Sequence, residues 1–412
     1  MTDDGAGGAS VALVESPVQL LNVLEWAYQG GTVIPLTVVV LPPTEPLTRG
    51  QLRRMAELAR DDGLEVRWQE ARGGAGPLRT LASLARPLRR ARRVVLGDPF
   101  SRYVQTLLTV VRAREVVVVD DGTATMEFIA QLARGERFVR WHRSGRGGGA
   151  RGMLFAPVAS AARRRLTPDP AAGAPGGEGP SGAEGASGGD GSDGSPGPEG
   201  VPGGGGVPGD AGVPGRQVEV FTSMPVMDPP PGLHVTANEF AWTRSRFGPP
   251  TVGTATDLVG TSLVETGVVD HERYLEAVAS LTRTYGATRY FAHRRERSDK
   301  LHQLHLHTGL EIVRPDLPLE IIARRGPIGR TIVSFPSTVV HTLPLALAGT
   351  GVKVAVCEID PGWLTDTASP RAQGFLSSVA GAARERRGVD GLPVGPATTT
   401  GWSGAGAPAA SV

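Results

Sequence analysis

Between residues 10 and 150 the apolar positions fall into two alternating kinds of run. The short ones are "SVALV" (10–14), "LTVVVL" (36–41), "LEVRW" (64–68), "RVVLG" (93–97) and "EVVVV" (115–119). Most lack the in–out alternation of a half-exposed strand, which predicts strands covered on both faces. Between them the apolar residues recur at helical spacing. Examples are "PVQLLNVLEWAYQ" and "RGQLRRMAELARDDG", in which Leu52, Met55, Leu58 and Ala59 share one face. Strand–helix alternation of this kind predicts βαβ units on a parallel sheet.

The pattern stops at residues 167–217, a Gly/Pro-rich stretch with no aromatic residue and almost no large aliphatic one. Too little apolar surface is available there to offset the entropy of ordering, so a disordered insertion is expected. Glycine keeps no strict third-residue register, which argues against a collagen helix. The pattern resumes at "VEVFTSMPV" (218–226), expected to close the first sheet, so that residues 218–249 complete the domain begun by 1–166. A second series follows in 250–390: strands at "TDLVGTSLV" (256–264), "RYFAH" (289–293), "LEIV" (310–313), "TIVSF" (331–335) and "VKVAV" (352–356). Helices are expected over 270–285, 338–349 and 372–388, with a disordered tail over 391–412. The expected fold class is therefore α/β: two doubly wound, Rossmann-like domains facing one another, with the ligand in the cleft at the carboxyl ends of the strands.

The formal charge of +2 over 412 residues argues against a dedicated nucleic-acid binder. Cys357 is the single cysteine, so neither an intrachain disulfide nor a cysteine-based zinc site can form. No basic segment followed by an apolar core opens the chain, and no apolar run reaches the length of a bilayer span, so a cytoplasmic protein is expected. Arg86, Arg89, Arg90, Arg92 and Arg93 lie in and beside an amphipathic helix, "PLRTLASLARPLRRARR". They form either a solvated face or a peripheral contact with an anionic membrane.

Five stretches place polar residues directly after an expected strand: Ser16 with Gln19, Asp98 with Ser101, Asp120-Asp121-Gly122, His293-Arg294-Arg295, and Ser334 with Ser337-Thr338. In an open α/β sheet such positions converge on the crevice. Each also has an ordinary structural role. Asp121, Thr123 or Thr125 could cap the helix that follows; two adjacent carboxylates also raise one pKa, which suits a base near neutral pH. His293 could be a satisfied strand-end residue or a donor to a leaving phosphate. Ser337 and Thr338 could cap a helix or, with its free N–H groups, hold a phosphate. Glu320 could bind a ribose or face solvent. His302, His305 and His307 lack a carboxylate partner at metal-binding spacing. "GRGGGARG" (145–152) has no phosphate-loop spacing and reads as a flexible loop.

Taken together, "ESPVQLLNVLEW", "VVDDGTATMEF", "YFAHRRE", "LPLEII" and "SFPSTVVHTLPLALAG" resemble the bacterial sialyltransferases and polysialyltransferases, most closely the alpha-2,8-polysialyltransferase-like proteins of actinobacteria. The resemblance runs from about Ser10 to Trp363, without the insertion. It implies a GT-B-like glycosyltransferase that moves sialic acid or a related nonulosonic acid from a CMP-sugar to a glycan acceptor, with no metal or other cofactor. It further implies Asp120 as base, His293 as acid toward the cytidylate, Ser337-Thr338 and Ser334 near the phosphate, and Glu320 at the ribose. Ser16, Gln19, Asp98, Ser101 and Gly122 are expected on the acceptor side; Asp121 is a candidate catalytic residue beside Asp120 and, by its position before Gly122, is also expected to cap the helix. Arg294 stands where the family has proline, and would add a phosphate-binding cation. The alternatives are a UDP-sugar transferase or epimerase of the same fold class, and a non-catalytic nucleotide- or carbohydrate-binding relative.

Overall fold

The computed structural model describes residues 9–30, 35–73, 76–138, 150–169, 216–366, 368 and 370–392. The expected disordered insertion and tail, and the loop at 145–149, lie almost wholly outside these residues. The first domain runs β1 (Ser10–Val14), α1 (Pro17–Gln29), β2 (Leu36–Val40), α2 (Pro46–Asp61), β3 (Glu65–Trp68), α3 (Gly76–Arg90), β4 (Arg93–Leu96), α4 (Arg102–Leu108) and β5 (Glu115–Val119). It continues with α5 (Thr123–Ala133), α6 (Ala150–Leu166), β6 (Gln217–Thr222), β7 (Leu233–Ala237) and α7 (Ala241–Arg246). The second domain comprises β8 (Thr256–Val259), α8 (His271–Tyr285), β9 (Ala287–Phe291), α9 (Ser298–Thr308), β10 (Glu311–Val313), α10 (Leu319–Arg325), β11 (Thr331–Ser334), α11 (Val339–Ala346), β12 (Lys353–Cys357), α12 (Pro370–Arg387) and β13 (Asp390–Leu392).

Both sheets are parallel, in the orders β3-β2-β1-β4-β5-β6-β7 and β10-β9-β8-β11-β12-β13. The continuous valine runs are explained by cover on both faces. In the first domain α3, α4, α5 and α6 pack one face through Leu84, Leu107, Phe128 and Leu166. Helices α1, α2 and α7 cover the other through Leu21, Met55 and Trp242. In each sheet the order of strand addition reverses once, at β1/β4 and at β8/β11, and each switch point opens a crevice at the carboxyl ends of the strands.

Four elements differ from the expectation. The first sheet ends on β7, not on the strand at 218–226. "LHVTA" is an edge strand with mixed exposure, so it never shows a continuous apolar run. The expected strand 256–264 stops at Val259, and Gly260 opens a loop in which a Cβ at that glycine would lie 2.2 Å from Glu296 Oε2. Helix α6 starts inside the glycine-rich stretch and carries Pro157, which hid it; residues 150–152 are therefore helix rather than loop. Finally, β13 adds an edge to the second sheet.

The domains share apolar surface. Leu317 and Ile321 of the second domain, with Ala346 of α11, pack into the layer formed by α1, α2 and α7. Gln51 Nε2 donates to Pro315 O at 2.7 Å, and Arg324 Nε to Phe247 O at 3.1 Å. From the end of α12, Arg387 reaches back to donate to Ser223 O at 2.7 Å. Among the described residues no helix is long and apolar enough to cross a membrane.

Candidate active site

The two crevices face one another across a cavity of about 1080 Å³. The first domain contributes Ser16, Gln19, Asp98, Asp120, Asp121 and Gly122; the second contributes His293, Arg294, Glu320, Ser337 and Thr338. Residues as far apart in sequence as Ser16 and Thr338 thus meet in one chamber. Ser101 and Ser334 do not line it.

Asp120 follows β5 and is only 2% exposed. Its Oδ2 accepts from Ser223 N at 3.1 Å and Ser223 Oγ at 2.8 Å, and its Oδ1 from Gly122 N at 2.9 Å. Burial raises its pKa above the ordinary aspartate value, and the donors only partly oppose this. A carboxylate so held is oriented and primed to accept a proton. Asn22, hydrogen-bonded to Asn238, fixes the same turn by donating to Asp120 O at 2.8 Å.

Asp121 does not take the capping role expected of it. The N-cap of α5 is Gly122, with no side-chain cap hydrogen bond. Asp121 is half-buried, and its N–H donates to Thr125 Oγ1 at 2.9 Å. Gly122 itself is required twice over. Its φ is +68°, and a Cβ there would sit 2.6 Å from Thr338 Cγ2. The glycine of the aspartate turn therefore touches the hydroxyl pair of the opposite wall.

On the first wall several expected binding residues are occupied locally. Ser16 is the N-cap of α1, its Oγ accepting from Gln19 N at 3.2 Å, while Gln19 Oε1 accepts from Glu15 N at 2.7 Å. This reciprocal pair is a variant of a capping box, and both residues still line the cavity. Ser101 caps α4, its Oγ accepting from Val104 N at 3.4 Å. Asp98 Oδ1 accepts from Phe100 N at 2.9 Å, and the residue still reaches the cavity.

On the second wall, β9 delivers His293 into a tight turn. Its Nδ1 accepts from Arg295 N at 3.1 Å, so in the neutral ring the proton resides on Nε2. Burial, with Arg294, Arg295 and Lys300 nearby, lowers its pKa to about 3. The resting imidazole is neutral and presents an N–H. Arg294 lines the same cavity and stabilises the ionised form of Glu45 on the facing domain. Glu320 lies in the first turn of α10, 5% exposed, and accepts from Thr342 Oγ1 at 2.6 Å. Burial raises its pKa, and the charge of Asp120 across the cleft adds to the effect. Ser337 and Thr338 stand at the start of α11, where Thr338 makes no side-chain cap bond. This leaves a hydroxyl pair beside a helix N-terminus, suited to an anion. Ser334 stands behind them, donating to Phe335 O at 2.9 Å and lying 3.3 Å from Ser337 Oγ.

Three further residues belong to the site. Ser223, one residue beyond β6, grips Asp120; a hydroxyl just past the neighbouring strand was its only sequence signal. Glu15 lines the cavity and pairs with Arg72 at 2.5 Å, its pKa raised by burial. Glu296 Oε2 accepts from His293 N at 2.6 Å, although "RRERSDK" reads as solvated charge. Among the described residues no cluster of His, Cys, Asp and Glu could hold a metal ion, and His302, His305 and His307 form none. In the arginine cluster, Arg92 and Arg93 pair with Glu115, while Arg86, Arg89 and Arg90 are exposed.

No family model and no curated protein sequence matches the chain. Among solved structures, it is similar to an alpha/beta-galactoside alpha-2,3-sialyltransferase from Photobacterium phosphoreum (8% identity, TM-score 0.46, covering 93% of this chain and 98% of that one). It is also similar to MurG from Acinetobacter baumannii (11%, 0.35, 93% and 96%) and to the E. coli heptosyltransferase WaaC with ADP (11%, 0.34, 92% and 99%). Similarity at these values carries no information on substrate or chemistry.

Proposed function

We propose that the protein is an inverting glycosyltransferase that moves a nonulosonic acid, sialic acid or a relative, from a CMP-sugar to a glycan acceptor. The observation that carries this reading is the opposition of two walls. An oriented carboxylate with a raised pKa faces a neutral imidazole, an arginine and a hydroxyl-bearing helix N-terminus, and Gly122 meets Thr338 between them. The choice of CMP as the leaving group rests on the sequence resemblance.

In the proposed reaction an acceptor hydroxyl oxygen attacks the anomeric carbon while Asp120 takes its proton. The bond from that carbon to the phosphate oxygen breaks, and configuration inverts. His293 Nε2–H donates to the departing phosphate oxygen, while Arg294, Ser337, Thr338 and the α11 N-terminus offset its charge. Glu320 accepts from the ribose hydroxyls. A protonated Glu320 would lose that acceptor strength, so binding falls as pH drops through its raised pKa. Asp121 is a second carboxylate within the cavity, and its greater exposure favours it as the runner-up base. Docking of the exposed Arg86, Arg89 and Arg90 on an anionic membrane is a further part of this proposal.

The test is release of CMP from CMP-N-acetylneuraminic acid and related CMP-nonulosonates, with neutral, amino-sugar and sialylated glycans as acceptors. Acceptor-dependent CMP release is expected. Turnover of UDP-sugars in its place would favour the UDP-dependent alternative, and binding of CMP without turnover on any acceptor the non-catalytic one.

A further inference from the structure

Behind His293 lies a buried ionic cluster that the proposed reaction does not use. Lys300 is 2% exposed. Its Nζ lies 2.7 Å from Glu296 Oε1 and 3.3 Å from Glu265 Oε2, donates to Thr261 O at 3.2 Å, and sits 4.4 Å over the Tyr274 ring. Tyr290 OH donates to Glu296 Oε1 at 2.6 Å and lies 2.6 Å from Tyr274 OH. The other oxygen of Glu296 accepts the His293 backbone N–H at 2.6 Å, and Glu296 N returns a bond to His293 O at 2.9 Å. Glu265 Oε1 also accepts from Arg297 N at 3.2 Å.

The cluster therefore joins two loops of the cavity wall. One follows β8 and carries Gly260, Thr261 and Glu265; the other follows β9 and carries His293, Arg294 and Glu296. Gly260 leaves room for both side chains: a Cβ there would come within 2.2 Å of Glu296 Oε2 and 2.4 Å of Tyr290 OH. A buried pair is costly to desolvate and does not by itself stabilise a fold, so its placement calls for a positional explanation.

We propose that Glu296, clamped by Lys300 and Tyr290, is the positioning residue for His293, holding the 293–296 turn so that Arg295 N–H occupies Nδ1 and Nε2 carries the hydrogen. This rests on the reading of His293 as the donor to the leaving group, but one arm of its test does not. In the free protein, nitrogen-15 spectra of the His293 ring are expected to show a single Nε2–H tautomer. Glu296→Ala should convert it to a mixture of tautomers. Glu296→Gln, which keeps shape and removes charge, should do so in part. With CMP-N-acetylneuraminic acid as probe, kcat should fall about 10- to 100-fold in Glu296→Ala while the KM for donor changes little. A merely structural role would lower the melting temperature but leave tautomer and kcat per folded molecule unchanged. Folded Glu296→Gln and Tyr290→Phe variants with wild-type tautomer and kcat would overturn the proposal. Failure of the wild type to turn over any CMP-sugar would count against the donor assignment alone, with the tautomer arm still deciding the clamp.

Discussion

Replacing Asp120 by Asn is expected to lower kcat for CMP release by about 10²- to 10⁴-fold, the usual contribution of a positioned general base. The amide keeps the shape of the carboxylate, but its single oxygen replaces only one of the two acceptors, taking either the Ser223 donors or the Gly122 N–H. Proton acceptance is lost, while the KM for donor should change little because the nucleotide contacts belong to the other wall. Asp121→Asn should cost far less. The two variants separate the readings of the acidic pair: a larger loss in Asp121→Asn than in Asp120→Asn would move the base to the more exposed residue. Ser223→Ala offers an internal check. It removes the 2.8 Å bond from Ser223 Oγ to Asp120 and leaves the backbone donor, so its expected effect is smaller than that of Asp120→Asn and in the same direction.

The second large effect concerns His293. Its removal as His293→Ala should lower kcat at least about 100-fold, whereas Gln, which retains an N–H donor, should recover part of the loss. The pH dependence is distinctive. In the free protein the imidazole is held at a pKa of about 3, against 6.5 for the ordinary side chain. It therefore stays neutral through pH 5–8, and its protonation does not set the acid limb of kcat/KM. Binding of an anionic phosphate opposes the positive neighbours and raises the pKa, so a limb from His293 belongs in kcat. Stability follows the same linkage with a definite sign. The unfolded chain protonates this histidine below about 6.5 and the folded chain does not, so stability is lost as pH falls from there toward 3. Between pH 6.5 and 4.5 the wild type should lose about 2 kcal/mol relative to His293→Ala, measured by denaturant melts at each pH. An equal loss in both would show that His293 titrates normally.

The strands and the two-domain plan were legible because continuous valine runs admit little besides strands covered on both faces. The placement of Asp120, His293 and Ser337 in one chamber followed from the rule that strand ends of doubly wound sheets converge. What escaped was decided by tertiary packing. Strand β7 alternates because it lies at an edge, and α6 hides behind a proline and a glycine-rich start. The roles within the acidic pair could not be read from adjacency, since Ser223, about a hundred residues away in sequence, determines which carboxylate is held. Ser16, Gln19 and Ser101 carry a second role at their strand ends: their side chains accept backbone N–H groups at the starts of α1 and α4, which polarity alone does not reveal. Glu296 and Lys300 looked solvated because the run "RRERSDK" gives no hint that Tyr274 and Tyr290 lie beneath it.

The most direct test of the central claim is a calorimetric titration of the protein with CMP and, in parallel, UDP. One CMP site per chain is expected, with UDP weaker, and with affinity for CMP reduced at least about tenfold, or 1.4 kcal/mol, in Glu320→Ala and in the double variant Ser337→Ala/Thr338→Val. Binding of UDP in preference to CMP, or CMP affinity unchanged by those substitutions, would contradict the account.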